Sequence, residues 1–391
     1  MTETLIADAL AARQADVPIQ TRSARPTSFE PADFAAPSAR EVNWKLSDLQ
    51  RLAPLFVDEP AESARAVTVE VDAPAGVHVP STGLDAPVRG EVFRPEDRPS
   101  AIAWKRSEDA LHLRLPAGQV LEQPVRVRLH GTDATARSTA HIVIEAERDS
   151  HATVVLEHTG SAQFAQNVEI IVRDGASLTV LSLQAWEDDA VHAAAHQAVV
   201  GRRASLTHFV VSLGGAVVRV NPSVRLAGEG SHAELFGLSF ADSGQHLESQ
   251  VYLFHEGPAT KGNVLYKSAL QGAKARTVWI GDVLIGADAV DTDSYEANRN
   301  LVLTDGARAD SIPNLEIETG EIAGAGHASA TGRFDDEQLF YLRSRGISEK
   351  ESRRLVVLGF LMEIVQKIAV DDVRARLIDA VEAELATMEV D

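Results

Sequence analysis

The chain has 391 residues, 45% of them hydrophobic and 24% charged, enough for two or three domains around a large buried core. Its 57 acidic and 37 basic side chains give a formal charge of −20, which repels phosphate backbones and anionic membranes. There is no cysteine, which excludes disulfides, thiolate nucleophiles and thiolate metal sites built from this chain alone.

The N-terminal "MTETLIADALAARQADV" carries neither the basic n-region nor the apolar core of a signal peptide. No apolar run nears the roughly 18 residues of a transmembrane helix, so a cytoplasmic protein is expected. Leu5, Ile6, Ala9 and Leu10 fall at helical spacing and predict a first helix. "RSARPTSFEPADFAAPSAR" reads as a proline-rich linker. "EVNWKLSDLQRLAP" then restarts a short ordered piece, with Trp44 and Leu49 as expected anchors. Residues 1–64 thus form an N-terminal helical region and linker.

Residues 65–330 change texture, with short runs of valine, isoleucine, leucine and threonine between Gly-Ala or Asp-Gly pairs. The punctuation recurs in "RDSHATVVLEH", "RDGASLTVLSL", "GRRASLTHFVV" and "GEGSHAELFGL", and after a longer gap in "LQGAKARTVWI", "LIGADAVDTDS" and "LTDGARADSIP". A small-residue turn before a β run, at this period, predicts stacked coils. No helical stretch separates the strands, which disfavours βαβ crossovers. A parallel β-helix is expected, with an antiparallel β-sandwich as the alternative.

Residues 331–391 read as a helical domain. "DDEQLFYLRSRG" stops at Gly346, a natural C-terminal cap. "SEKE" predicts a capping box between Ser348 and Glu351. Leu361, Ile364, Val365 and Ile368 then follow at i, i+3, i+4 and i+7. "DDVRARLIDAVEAELATM" opens on two aspartates suited to a helix N-terminus.

Little in the chain resembles catalytic machinery. "GPATKG" lacks both the spacing of a phosphate loop and its Ser or Thr after lysine, so nucleotide hydrolysis is not expected. "HAAAH" sets His192 and His196 four apart, a metal-ligand spacing on a helix. On a strand the two stand roughly 13 Å apart, too far for one ion, and read as surface or partly buried residues. "DAVDTDSYEANRN" gathers Asp288, Asp291, Asp293, Glu296 and Arg299. On a β-helix such a cluster could serve a carbohydrate-active enzyme, an alternative function resting on fold analogy alone. Finally, His327 sits in the small-residue run "EIAGAGHASATG", followed at once by a charged amphipathic segment.

The stretch "SIPNLEIETGEIAGAGHASATGRFDDEQLFYLRSRGIS" resembles the C-terminal signature of the SufB/SufD family of iron–sulfur cluster assembly proteins. "DTDSYEANRNLVLTDGARADSIPNLEI" and "HEGPATKGNVLYKSALQGAKARTVWIGDVLIGADAVDT" fit the same family, and "EVNWKLSDL" resembles its N-terminal tryptophan motif. The resemblance covers at least residues 41–368 and implies a right-handed parallel β-helix with helical ends. The chain is more similar to the SufD branch, because Ala325 and Gly326 stand where SufB-type chains place a cysteine before the motif histidine.

Several expectations follow from that resemblance. The chain is a non-catalytic subunit paired with a SufB-like scaffold as a heterodimer, its helical end docking a SufC-like ABC ATPase. A homodimer is the alternative partner state for the isolated chain, and neither nucleic acid nor membrane is expected. His327 carries over as a candidate metal ligand of an iron–sulfur site shared at the partner interface. No cofactor is then held by this chain alone, and the iron–sulfur cluster is a transient guest of the complex. The chemistry is consistent with this division. Such clusters are held by thiolates with imidazole as an occasional substitute, so a chain without cysteine contributes one ligand and the thiolates come from elsewhere. Gly324, Gly326 and Ala328 would let a second β-helix edge approach closely.

Overall fold

A computed structural model describes residues 25–60, 66–334 and 336–386. The helix expected around Leu5–Leu10 lies outside the described residues. Strands β1 (Val67–Asp72), β2 (Ser81–Gly83) and β3 (Asp109–Leu115) lead into two 22-residue strands, β4 (Val125–Ala146) and β5 (His151–Val172). Shorter strands follow without intervening helices: β6 (Ser177–Trp186), β7 (Val191–Val200), β8 (Ser205–Ser212), β9 (Val217–Leu226), β10 (His232–Ala241) and β11 (His246–His255). The series ends with β12 (Lys261–Leu270), β13 (Arg276–Ile285), β14 (Asp293–Val302), β15 (Arg308–Ile317) and β16 (Gly324–Arg333).

Each coil contributes one strand to each of two parallel ladders, β6-β8-β10-β12-β14-β16 and β5-β7-β9-β11-β13-β15. The first half of β5 pairs with β6 and its second half with β7, so one long strand bends across both. This is a parallel β-helix. Among the described strands antiparallel pairing is limited to β1 with β4 and β2 with β3, with one isolated bridge between His78 and Arg114, which rules out the sandwich. The recurrences in the sequence are its coils: His151, Ser177, Ser205 and His232 stand in one stacked column. "LQGAKAR" and "LTDGARA" stack on each other in the odd ladder, whereas "LIGADAVDTDS" precedes β14 in the even one. The same small-residue turn therefore serves both corners, which is why the period breaks late in the chain. Coils also lengthen, from 28 residues between Ser177 and Ser205 to 32 between Thr260 and Thr292.

Alternation along each strand sends one set of side chains inward and the other out. Inward residues such as Val154, Leu156, Val168, Leu206, Val220, Leu235 and Leu253 form one continuous core. The outward faces of the two ladders are covered differently. The C-terminal helices are α3 (Asp336–Ser344), α4 (Glu349–Val365) and α5 (Asp371–Ala386), numbered after the shorter α1 (Leu49–Leu52) and α2 (Arg98–Arg106). Of these, α3 packs on α4, while α4 and α5 lie over the even ladder. Leu361, Ile364, Val365 and Ile368 are all buried there, packed with Phe209, Phe236 and Phe240. Lys267 on β12 donates its Nζ to the Phe360 carbonyl at 2.8 Å, tying helix to sheet. Gly346 has the left-handed φ of +84° that ends the α3 segment. Ser348 caps α4 by accepting from the Glu351 amide, but the Glu351 carboxylate turns to Arg354, so the capping box is only half made.

The odd ladder is covered by the N-terminal segment. Trp44 lies beneath the Arg219 guanidinium at 4.0 Å, and Arg219 pairs with Glu248 at 3.0 Å and Asp97 at 2.9 Å. Burial would raise the Glu248 carboxyl, but the His246 hydrogen bond and the Arg219 charge hold it down at about 2. Trp44 is an anchor as expected; Leu49 is only half-buried, and Leu52 and Leu55 complete the contact instead. Within the proline-rich stretch, Arg25 stacks on Tyr252 and Arg98 binds the carbonyls of Pro31 and Phe34, so its described part lies against the solenoid. Among the described residues no helix is long and apolar enough to cross a membrane.

The interior also holds ionisable groups. His158, His192, His196 and His208 point inward and are fully buried. His192 and His196 lie on β7, so strand geometry does separate them, but they are core residues rather than surface or partly buried ones. His196 Nδ1 meets His208 Nε2 at 2.9 Å. Burial holds His158 and His208 down at about 4. Glu296 on β14 is also inward and buried, and burial pushes it up to about 8, the Asn314 backbone opposing the shift.

These groups predict a stability profile. The histidines favour the fold fully above about pH 6.5, and that stability is lost as pH falls toward 4, on the order of 3 kcal/mol each for His158 and His208. Urea unfolding midpoints should therefore drop steeply across that window; a flat profile would mean that the imidazoles are hydrated. Glu296 acts in the opposite direction, since its raised carboxyl costs stability as pH rises from about 4.5 through 8. Glu296→Gln should stabilise the protein by roughly 2–4 kcal/mol at pH 8 and hardly at all at pH 4, read by the same titration.

Candidate functional site

Among the described residues the even ladder ends at β16, which pairs with β14 on one side only. Its sequence, "GAGHASATGR", places only small side chains around the His327 imidazole before Arg333, and most of its residues are exposed. Natural sheet edges are usually guarded by lysine, proline, a bulge or a covering element. Among the described residues this edge has none of these. Gly326 stands in register with Tyr295, and a Cβ there would lie 3.3 Å from the tyrosine ring, so glycine lets that ring rest over the strand.

His327 is the register partner of Glu296, and the two occupy inward positions on adjacent strands of the last coils. The Glu296 carboxyl is buried; the His327 imidazole is exposed. Among the described residues neither Glu296 oxygen makes a well-formed hydrogen bond; the Asn314 backbone lies near enough to favour the charged form, but outside good bonding geometry. Space for the carboxyl comes from Gly281 on β13, where an added Cβ would lie 2.4 Å from Glu296 Oε2 and 2.4 Å from the Trp279 ring. One step along, the interior becomes a polar network. Asn300 donates to Asn298 at 2.8 Å, Ser311 at 2.9 Å and Thr331 at 3.1 Å, while Ser311 donates to Asn298 at 2.5 Å. Sequence reasoning missed this cap of the apolar core. The alternation of Ser294, Glu296, Asn298 and Asn300 was its available signal, since four polar residues cannot all face inward in an ordinary core strand.

The acidic cluster does not assemble. Asp288, Asp291 and Asp293 are exposed at the turn into β14, Glu296 points inside, and Arg299 faces outward 3.5 Å from Glu363 on α4. The strand period of two separates residues that the linear sequence brings together, and the carbohydrate-enzyme alternative loses its site. Among the described residues no group of three or more His, Asp or Glu side chains could hold a metal ion. Near the end of β16, α3 exposes Phe340 and Tyr341, at 75% and 56%.

Residues 128–360 match the profile of the family described as SUF system FeS cluster assembly, SufBD core domain. An iron–sulfur cluster assembly SufBD family protein of Mycobacterium bovis is 49% identical over 368 residues, covering 93% of this chain and 92% of its own length. A protein of the same description in Mycobacterium leprae is 48% identical over 93% of this chain and 94% of its own. The iron–sulfur cluster assembly protein SufD of Escherichia coli is 28% identical over 297 residues, 73% of this chain and 68% of its own length. With its β-helix, its terminal coil and these relatives taken together, the chain belongs to the SufB/SufD family of iron–sulfur cluster assembly proteins.

Proposed function

We propose that the protein is the SufD-like, non-catalytic subunit of a cytoplasmic SUF assembly complex, with the nascent iron–sulfur cluster as its cargo. The observation that carries this reading is His327, exposed on an unguarded terminal strand in a chain without cysteine. An imidazole so placed can ligate iron, but thiolates must come from a second chain. An open edge of small residues suits a partner that extends the ladder through its own backbone, as in strand addition. A SufB-like scaffold carrying the thiolates meets both demands. A second copy of this chain would satisfy the edge without completing the site.

The exposed Phe340 and Tyr341 are the proposed centre of the docking surface for a SufC-like ATPase. Deleting the helical end would test this badly, because α4 and α5 cover Phe209, Phe236 and Phe240 and their loss would strip the even ladder. Point changes are cleaner. Phe340→Ala with Tyr341→Ala should weaken ATPase binding by about tenfold or more, as loss of a central aromatic anchor does, while leaving unfolding nearly unchanged. Unaltered affinity in calorimetry would move the docking surface elsewhere.

His327→Ala tests the site. An exposed side chain among small residues contributes little packing, so stability should shift by no more than about 0.5 kcal/mol and complex mass should be unchanged. Iron and sulfide bound by the anaerobically reconstituted complex should fall about tenfold, because Ser329 and Thr331 are poor iron ligands. His327→Cys should keep part of the assembly, since a thiolate can ligate iron. Normal cluster content in the alanine variant would reduce His327 to a structural residue.

A further inference from the structure

A buried carboxyl with no well-formed hydrogen bond to either oxygen is unfavourable, and glutamine or leucine in its place would cost the coil less. Glu296 occupies that position one coil beneath His327. The placement is specific. As register partners on adjacent parallel strands, the two send their side chains from one inward face, with Cβ atoms about 5 Å apart. Two donors at that separation can share one divalent ion through bonds of about 2 Å. The cavity is shaped for the carboxyl, since Gly281 leaves out the Cβ that would collide with it. Trp279, whose ring lies against the same glycine, also leaves its Nε1 unpartnered, so this stretch of the interior is polar without being satisfied.

We propose that Glu296 is a second protein donor of the His327 site, its carboxylate and the imidazole together binding a ferrous ion from within the last coil. The inference rests on reading His327 as half of a shared iron site. The ion supplies the positive charge that the buried carboxylate otherwise lacks. Carboxylate with imidazole is a donor set that ferrous iron accepts, and its remaining positions stay available to water and to thiolates of a partner. Glu296 thus explains how a chain without cysteine can hold iron before sulfur arrives.

The test uses the full-length chain without partners, dialysed to equilibrium against ferrous ion in the absence of oxygen, with bound iron counted per chain. Circular dichroism confirms the fold of each variant. Wild type should bind one ion. Glu296→Gln and His327→Ala should each weaken binding about tenfold or more, and the double variant should be within about threefold of either, as for two donors to one ion. Glu296→Asp, which keeps a carboxylate, should retain more affinity than Glu296→Gln. Wild-type affinity in Glu296→Gln overturns the inference, and so does a wild-type chain that takes up no iron. The two readings separate in the reconstituted complex. If His327→Ala loses cluster while Glu296→Gln binds ferrous ion normally, the His327 reading stands and Glu296 is removed from the site. Normal cluster content in His327→Ala removes the reading on which the inference rests.

Discussion

The hydrogen bonds of a parallel solenoid run along its axis, so every coil depends on the next for its backbone partners. In the interior this is self-satisfying: β8 is paired by β6 and β10, and β9 by β7 and β11. At the last coil it fails, because among the described residues β15 and β16 each have a neighbour on one side only. A buried unpaired peptide group is costly, and a solvated one is a template for further pairing. The end of the ladder is therefore where the fold itself creates a binding surface, and His327 stands on it.

The two ladders have the complementary problem of outward faces that are too apolar for water. Phe209, Phe236 and Leu265 on one side need α4 and α5, and Val217 with Ala193 on the other need Trp44 and Leu55. The two covers use different physics. The helical cover is held mainly by packed hydrocarbon, whereas the N-terminal cover is held by ions with little access to water. Glu169 accepts from the amides of Gly90, Val92 and Phe93, and Glu248 is shared by Arg219 and Ser47. Removing one partner from such a set strands a buried charge, which costs more than the loss of an exposed pair. Covering both faces leaves the terminal coil as the uncommitted part of the solenoid.

Much of this was legible in the sequence because coils repeat locally: the turns before His151, Ser177, Ser205 and His232 look alike and stack. The amphipathic spacing of Leu361, Ile364 and Val365 was equally direct, since a helix face is a local property. What escaped was set by which side of a strand a residue takes and by contacts far along the chain. The acidic run before Arg299 looked like one cluster until the period of two sent Glu296 inward and Asp293 out. The histidines of "HAAAH" read as peripheral because neutral imidazoles in a core cannot be told from surface ones by spacing. Leu52 and Leu55 surpassed Leu49 because their partners, Val217 and Ala193, lie far along the chain. His327 was found through the composition around it, while Glu296 became conspicuous only once its missing partners could be seen.

The N-terminal cover has a kinetic implication. Ser47 reaches Glu248 across 201 residues, and the Asn43 carbonyl accepts from Gln250 across 207. Coils can wind in order as the chain is made, each closing a loop of about thirty residues at modest entropic cost. The segment around Trp44 cannot join them, because the strands that hold it, β9 and β11, are synthesised long after it. A segment made well before the coils it covers is among the last to find its place. Until β11 is wound, the odd ladder carries an uncovered face beside a tethered strap, the kind of intermediate in which nonlocal contacts govern the rate and misassembly competes with closure.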